Sequence, residues 1–447
     1  MGAMRVAAIC LAVGLVLADS SVAVLALPAI YSELDVALGD LHWVLTAFNI
    51  ALAVAAVPVA LLVRRAAGRA FVAGLVLFAL ASLGCAVAPG FGALVGLRAV
   101  QALGGAAVVV AALELLPPLV ASQRRAVAVW VAAGTVGAAF GPAAGGILTE
   151  TISWRAVFAV QAPLALAALP FSLGLRGAAE GAEARSRVRL GPNVALALVS
   201  AGLAAALFLV VLLLIEGWGL SPVEAAAVVT ALPLAALATA RFAGRVPDTR
   251  ARSAAGATLV TGGLAALGLL PGAGWGWTIA PQLLVGAGLA LAFSGLTEAA
   301  LVGRRPQALH GGITVAARHA GIVLGLLLLT PLLVADLDRQ SVAAEEAGAA
   351  RLLDARITPG TKLELASALA FRLGEADGSI PDLDPAFAAI EPENDERGAV
   401  AGLRRSLDDI VDRAVTSAFS RPFLLGALLS LAAVAVAVLT VPRRSEA

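Results

Sequence analysis

Runs of eighteen or more apolar residues recur along this 447-residue chain, and they limit its fold more than any other feature. At about 1.5 Å per residue, such a run crosses the roughly 30 Å hydrocarbon core of a bilayer as a helix. A soluble domain of this size needs a charged surface, yet only 14% of the residues are charged and 60% are hydrophobic. The chain therefore reads as an all-α polytopic membrane protein with the lipid bilayer as its solvent. Twelve spans are expected at about 6–28, 42–62, 70–89, 92–115, 126–147, 155–174, 192–216, 223–242, 253–272, 276–301, 311–335 and 421–441.

Arginine placement sets the expected orientation, because cytoplasmic loops carry the basic excess. With the N-terminus inside, the inner segments hold eighteen arginines, from Arg5, Arg64, Arg65 and Arg69 through Arg185, Arg187 and Arg189 to Arg443 and Arg444. The short outer loops hold only Arg155. Both termini are thus expected in the cytoplasm, with the chain multi-pass in the plasma membrane of a bacterium. The start imitates a signal peptide, but its apolar run continues past Asp19 to Ile30, so a full-length first span is expected. The net charge of +1 is dispersed, which argues against a nucleic-acid partner. Cys10 and Cys85 fall inside expected spans, so neither a disulfide framework nor a metal site is expected. No phosphate-cradling loop or His-Glu-x-x-His pair is present, and no cofactor or catalytic residue is assigned.

The segment "GLRGAAEGAEARSRVRLGP" divides the spans into two groups of six. The expected domains are an N-terminal bundle, 1–175, a cytoplasmic linker, 176–191, and a C-terminal bundle, 192–447. A shift of 184 positions lays Gly104 on Gly288, Glu114 on Glu298, Gly137 on Gly321 and Gly141 on Gly325. Parallel six-helix repeats of this kind are a transporter architecture. Residues 336–420 stand apart, with seventeen of the thirty acidic residues against nine basic ones. Their apolar spacing predicts an outer helical hairpin whose second arm runs into the last span. No protein partner for it can be read from the sequence.

"GTVGAAFGPAAGG" (134–146) interrupts an otherwise apolar helix. Gly134, Gly137, Gly141 and Gly145 form one stripe, with Gly146 beside it. In lipid, small stripes let helix backbones approach closely, while Pro142 removes a hydrogen bond and permits a bend. The small face of the eighth span, Ala231, Pro233, Ala235 and Ala238, is the expected partner of this stripe, as a sliding contact.

At this point the chain resembles the drug:proton antiporters of the major facilitator superfamily, in a twelve-span form with a large outer loop. Gly137 to Gly146 is similar to their fifth-span motif. "ADSSVAVLALPAI" (18–30) resembles the first-span signature with Asp19 at its acidic position. "RAVQALGGAA" (98–107) resembles the fourth-span motif with its embedded Arg98, and "WRAVFAVQAP" (154–163) the sixth-span start, with Gln161 where Asn is usual. The loop after the second span departs from the pattern. "LLVRRAAGR" (61–69) has Leu61 and Arg65 where the family has Gly and Asp, whereas its C-terminal counterpart "GRVPDTR" keeps Gly244 and Asp248. The resemblance implies efflux of small amphipathic molecules against protons, by rocking of the two bundles around a chamber. The alternatives are a metabolite importer or facilitator on the same fold, and a non-transporting receptor or scaffold acting through 336–420.

A mid-bilayer Asp is costly and tends to face a cavity or a partner. Burial raises a carboxyl's affinity for protons and a nearby cation lowers it. Asp19 is therefore the expected proton carrier with Arg98 modulating it, the alternative being a structural ion pair. Glu298, Arg318 and His319 lie at similar depths and are expected to form a second polar cluster: a second titrating site, a substrate contact or an inner-gate salt bridge. Asn49, Gln101, Gln161 and Gln282 are candidates for lining the chamber, or for helix–helix hydrogen bonding.

Overall fold

The computed structural model describes residues 2–120, 122–177, 186–246, 248–375, 383–390 and 396–442. Arg185, Arg443 and Arg444, which contribute to the orientation argument, lie outside the described residues, as does part of the 336–420 segment. Among the described residues every regular element is helical. This is the arrangement lipid demands of a non-barrel chain, since a helix satisfies its own backbone polar groups.

The main helices are α1 (Gly2–Ala23), α2 (Trp43–Ala86), α3 (Phe91–Leu115), α4 (Gln123–Thr151), α5 (Trp154–Ala159) and α6 (Gln161–Ala167). They continue with α7 (Leu190–Ala204), α8 (Pro222–Val229), α9 (Ala231–Ala243), α10 (Thr249–Gly268), α11 (Gly276–Leu301), α12 (Gln307–Asp354), α13 (Pro359–Glu375) and α14 (Arg397–Thr440). Nine helical stretches among the described residues are long and apolar enough to cross a membrane.

The difference from twelve lies in three places. Expected spans two and three share one stretch, Leu38–Ala86, of 49 residues. At 1.5 Å per residue its helical length sums to about 70 Å, enough for two crossings. It is two helices that turn back on each other at Ala66, where φ is −157° and ψ 57°, so that Val44 and Ser82 both reach side chains of α3, Arg98 and Gln101. At the corresponding turn in the other half, Gly244 ends α9 and the Asp248 carboxylate caps α10 by accepting the Arg250 N–H at 3.1 Å. That tenth helix, with Arg250 and Arg252 in its first turn, falls short of the apolar criterion, and the sixth region is broken into short pieces.

Close backbone crossings reproduce the internal repeat. Gly104 of α3 lies against Gly74 of α2, and a Cβ there would sit 2.8 Å from the Gly74 carbonyl oxygen. Gly288 of α11 meets Gly256 of α10 in the same way, at 2.6 Å from that carbonyl. Gly137 of α4 presses on the backbone of Gly14 in α1, while its repeat mate Gly321 in α12 presses on the backbone of Ala197 in α7. The same crossings thus recur in both halves.

Helices α12 and α14 extend beyond the apolar spans as the two arms of the 336–420 hairpin, and α13 packs on them. Leu352, Ile357, Leu365, Phe387, Val400 and Leu403 belong to a hydrophobic core of its own. At its base the buried Asp336 carboxylate accepts from Arg339 at 3.0 Å and from Arg421 at 2.8 Å, joining the arms where they leave the apolar region. A cavity of about 390 Å³ runs between the hairpin arms, lined by Ala344, Gly348, Leu369 and Leu407, and reaches Tyr31 and Leu212 at its base.

The Glu396 carboxylate fastens α14 to the start of α13, accepting the Thr358 N–H and, at 2.8 Å, the Thr361 hydroxyl. The Thr358 bond first, and the Thr361 bond after it, hold this carboxyl below its ordinary range. A lowered native value means the contribution is complete above the usual carboxylate range and lost as pH falls through the native value. The protection factors of amides across 396–407, taken relative to the unfolded chain at each pH, should therefore fall between pH 5 and pH 3, and in Glu396→Gln should be low at both. Equal protection in the two proteins at pH 5 would refute this.

Candidate functional site: a buried ion-pair network

Asp19 of α1 and Arg98 of α3 are both fully buried and meet as a two-point ion pair. Arg98 Nη1 lies 2.8 Å from Asp19 Oδ1, and Nη2 lies 2.6 Å from Oδ2. This planar fork is the geometry in which Arg and carboxylate match best. Arg98 also donates from Nε to the Val44 carbonyl at 3.0 Å and from Nη1 to Gln101 Oε1 at 2.6 Å. The rings of Phe48 and Phe158 lie 4.4 and 5.4 Å from its guanidinium carbon. The cation is therefore supported by neutral groups as well as by its carboxylate.

Gln101 extends the network. Its amide nitrogen lies 2.8 Å from Ser82 Oγ, 2.9 Å from Gln161 Oε1 and 3.4 Å from Asp19 Oδ1. Ser82, Phe48 and Phe158 were not singled out from the sequence; an isolated serine or phenylalanine in an apolar run carries no signal of its own. The network sits inside the N-terminal half, so Asp19, Gln101 and Gln161 bond to one another. Gln282 hydrogen-bonds Thr278 of its own helix at 2.9 Å. Asn49 alone of the four amides reaches the other half, through its Oδ1 to His319 Nδ1 at 2.7 Å.

The glycine stripe of α4 packs on α1, which corrects the expectation of an eighth-span partner. Gly134 lies against Leu17, Gly137 against Gly14, Gly141 against Ser21, and Gly145 against Val22 and Leu25. Only Gly146, beside the stripe, reaches Ala226 and the Pro222 carbonyl of α8. In the ninth helix, Ala235 and the Leu232 carbonyl face Gly286 of α11 instead. Both small faces exist as read, but each has a different neighbour.

Glu298, Arg318 and His319 do not form one cluster. Glu298 is drawn to Arg252 of α10 at 2.5 Å and to Arg124 of α4 at 3.2 Å. Arg318 lies over the Phe293 ring at 4.6 Å, and His319 bonds Asn49. Similar depth along two helices did not fix direction around them. An Arg at mid-span costs about 2.5–3.5 kcal/mol on insertion scales, of which a desolvated aromatic face returns about 2 kcal/mol.

The Glu298–Arg124 pair belongs to a set of contacts joining the halves at the face that carries the helix ends Gly2, Gln123 and Thr440. Glu114 accepts the Ala308 N–H at the start of α12, at 2.5 Å. Gln123 donates toward the Leu301 and Arg304 carbonyls at 3.3 Å each and accepts the Gly303 N–H at 3.2 Å. The repeat mates Glu114 and Glu298 thus each reach across to the opposite half. With Arg124 largely exposed, its pair is worth no more than about 1 kcal/mol. Glu298→Gln should speed thiol labelling of a cysteine placed at Ala60, which is buried against Gly312, on the order of fivefold. An unchanged rate would show that these contacts do not hold the face shut.

Residues 9–326 match the Major Facilitator Superfamily. The multidrug resistance protein Stp of Mycobacterium tuberculosis is 33% identical over 153 residues, 33% of this chain and 28% of that protein. The tetracenomycin C resistance and export protein of Streptomyces glaucescens is 34% identical over 165 residues, 36% of this chain and 31% of that protein. The aligned region thus spans about a third of the length of these relatives. A crystal structure of a bacterial homologue of the human lysosomal transporter Spinster, inward-facing and unoccupied, superposes with a TM-score of 0.67. That likeness comes at 16% identity and covers 99% of this chain and 98% of that one. With the family match covering well over half its length, and with the fold and repeat crossings described above, this chain belongs to the major facilitator superfamily.

Proposed function

We propose that this protein is a proton-coupled exporter of small amphipathic compounds, an antiporter working by alternating access in a bacterial plasma membrane. In this reading it has twelve spans in two six-helix halves, 1–175 and 192–447, with both termini and the 176–191 linker cytoplasmic and the hairpin outside. The observation that carries it is the fully buried Asp19–Arg98 pair. The efflux names of the relatives favour export over import, and the fifth-span glycine motif agrees.

The geometry suggests how a proton would move the helices. Asp19 ties α1 to α3 through Arg98, and Arg98 ties both to α2 through the Val44 carbonyl. When Asp19 takes a proton, the ion pair loses its attraction, while Arg98 keeps Val44, Gln101 and the two aromatic faces. The first helix is then released from the third. Because the glycine stripe seats α1 tightly on α4, the two move as one body. The far end of α4 crosses to the other half, where Gly146 meets α8 and Glu150 accepts the Val223 N–H at 2.8 Å. Proton binding at Asp19 thereby reaches the contact between the halves.

Inverted membrane vesicles with an imposed inward-acid gradient test direction and coupling together. Addition of a transported amphipathic dye should dissipate the gradient as the dye accumulates inside. Dye accumulation that leaves the proton gradient untouched would exclude antiport, and movement only in right-side-out vesicles would favour an importer. A scaffold acting through the hairpin predicts neither movement.

A further inference from the structure

We propose that Arg318 is the recognition point for an anionic group on the transported compound, so that the preferred substrates are organic acids with an apolar body. This rests on the transporter reading above and names its substrate class.

Arg318 lies eleven residues into α12, about 17 Å from its start, which is mid-span. Its guanidinium keeps its charge under all ordinary conditions. Among the described residues, the other charges buried in the spans are already answered. Asp19 and Arg98 cancel each other, and Glu298 is held by Arg252 and Arg124. Nearer the hairpin, Asp336 is held by Arg339 and Arg421. No described carboxylate or carbonyl accepts a hydrogen bond from Arg318, and its Nε is buried without a partner. Its one stabilising contact is the face of Phe293.

The next residue supplies a second, independent sign of a missing polar occupant. His319 is 3% exposed, and its Nε2 has no partner. Asn49 donates from Nδ2 to the Leu45 carbonyl at 2.8 Å, which leaves its Oδ1 as the acceptor facing His319. His319 Nδ1 must then carry the hydrogen, and the neutral ring presents Nε2 as a free acceptor. A cationic fork on the side facing α11 and an empty acceptor on the side facing the N-terminal half therefore sit on adjacent residues of α12. A permanently structural cation would be expected to have found an acceptor, since a buried polar group without one is costly. An acid supplies the missing charge, and Phe293 supplies an aromatic surface for its apolar body.

The test uses the full chain in proteoliposomes with three probes: a dansyl amino acid, its uncharged amide, and the cation ethidium. The wild type should carry the acid in preference to the other two. Arg318→Gln should reduce acid transport at least tenfold through KM and leave the amide unchanged, and Arg318→Lys should restore part of it. Because Arg318 has no protein acceptor to lose, Arg318→Gln should melt at the wild-type temperature or above. A lower melting temperature would mark a structural role and overturn the proposal. Preference of the wild type for ethidium or the amide, or unchanged acid transport by Arg318→Gln, would overturn it as well, leaving the transporter reading intact. If none of the three probes moves in the wild type, the transporter reading itself fails and this inference with it.

Discussion

Asp19→Asn abolishes gradient-driven export while the protein still folds: this is the first expected result. Removing one partner of a buried ion pair leaves the other charge uncompensated and commonly costs about 3–5 kcal/mol. Here the loss should fall at the low end, because Arg98 retains Val44, Gln101 and two aromatic faces. The variant should therefore melt lower than wild type but remain monodisperse. Adding Arg98→Gln removes the stranded cation, so the double variant should recover most of the melting temperature. It should not recover coupling. That split separates proton carriage from a structural pair: a structural pair predicts that export returns together with stability. Export at wild-type rate in folded Asp19→Asn would end the assignment.

Gly137→Ala should be the most damaging single methyl in the glycine stripe. A Cβ at Gly137 would meet the Gly14 backbone, with its carbonyl carbon at 2.5 Å and Cα at 2.7 Å, so no side chain can move aside. Overpacking of this kind costs about 1–3 kcal/mol or more. The same methyl at Gly14 would meet the Ala133 carbonyl oxygen at 3.0 Å, a milder conflict. At Gly96, inside α3, nothing lies within 4 Å of the added methyl, and helix propensity should give back up to about 1 kcal/mol. Melting temperatures should rank Gly96→Ala above Gly14→Ala above Gly137→Ala. Export should fall in Gly137→Ala beyond what lost folded protein explains, since α1 and α4 would no longer move as one body. Equal stability across the series would show that the stripe is not a packing surface.

Much of this was legible in the residues, and the exceptions share a cause. Apolar length located the membrane-crossing stretches, and the acidic bias bounded the hairpin close to Asp336 and Arg421, which the structure joins. The resemblance of "ADSSVAVLALPAI" and "RAVQALGGAA" to family signatures put Asp19 and Arg98 on the same short list, and the structure pairs them. What failed was the choice of neighbours. A stripe of small residues says that something packs closely there, not which helix does, so the eighth span was chosen where the first belongs. Glu298, Arg318 and His319 agree in depth, but depth leaves the direction around each helix open, and Arg252 on an adjacent helix claims Glu298. The turn between the second and third expected spans, at Ala66 inside the 61–69 loop, is made without the family's Gly and Asp, whose absence the sequence already shows.

Infrared difference spectroscopy on the reconstituted protein can observe the Asp19 carboxyl itself. Adding a transported compound to protein equilibrated on the acid side should bleach the C=O stretch of a protonated carboxylic acid as the proton leaves. That band should be missing from Asp19→Asn and present in Glu298→Gln. A substrate-induced carboxylic-acid band that survives in Asp19→Asn would place the transported proton on another group and contradict the mechanism derived from this pair.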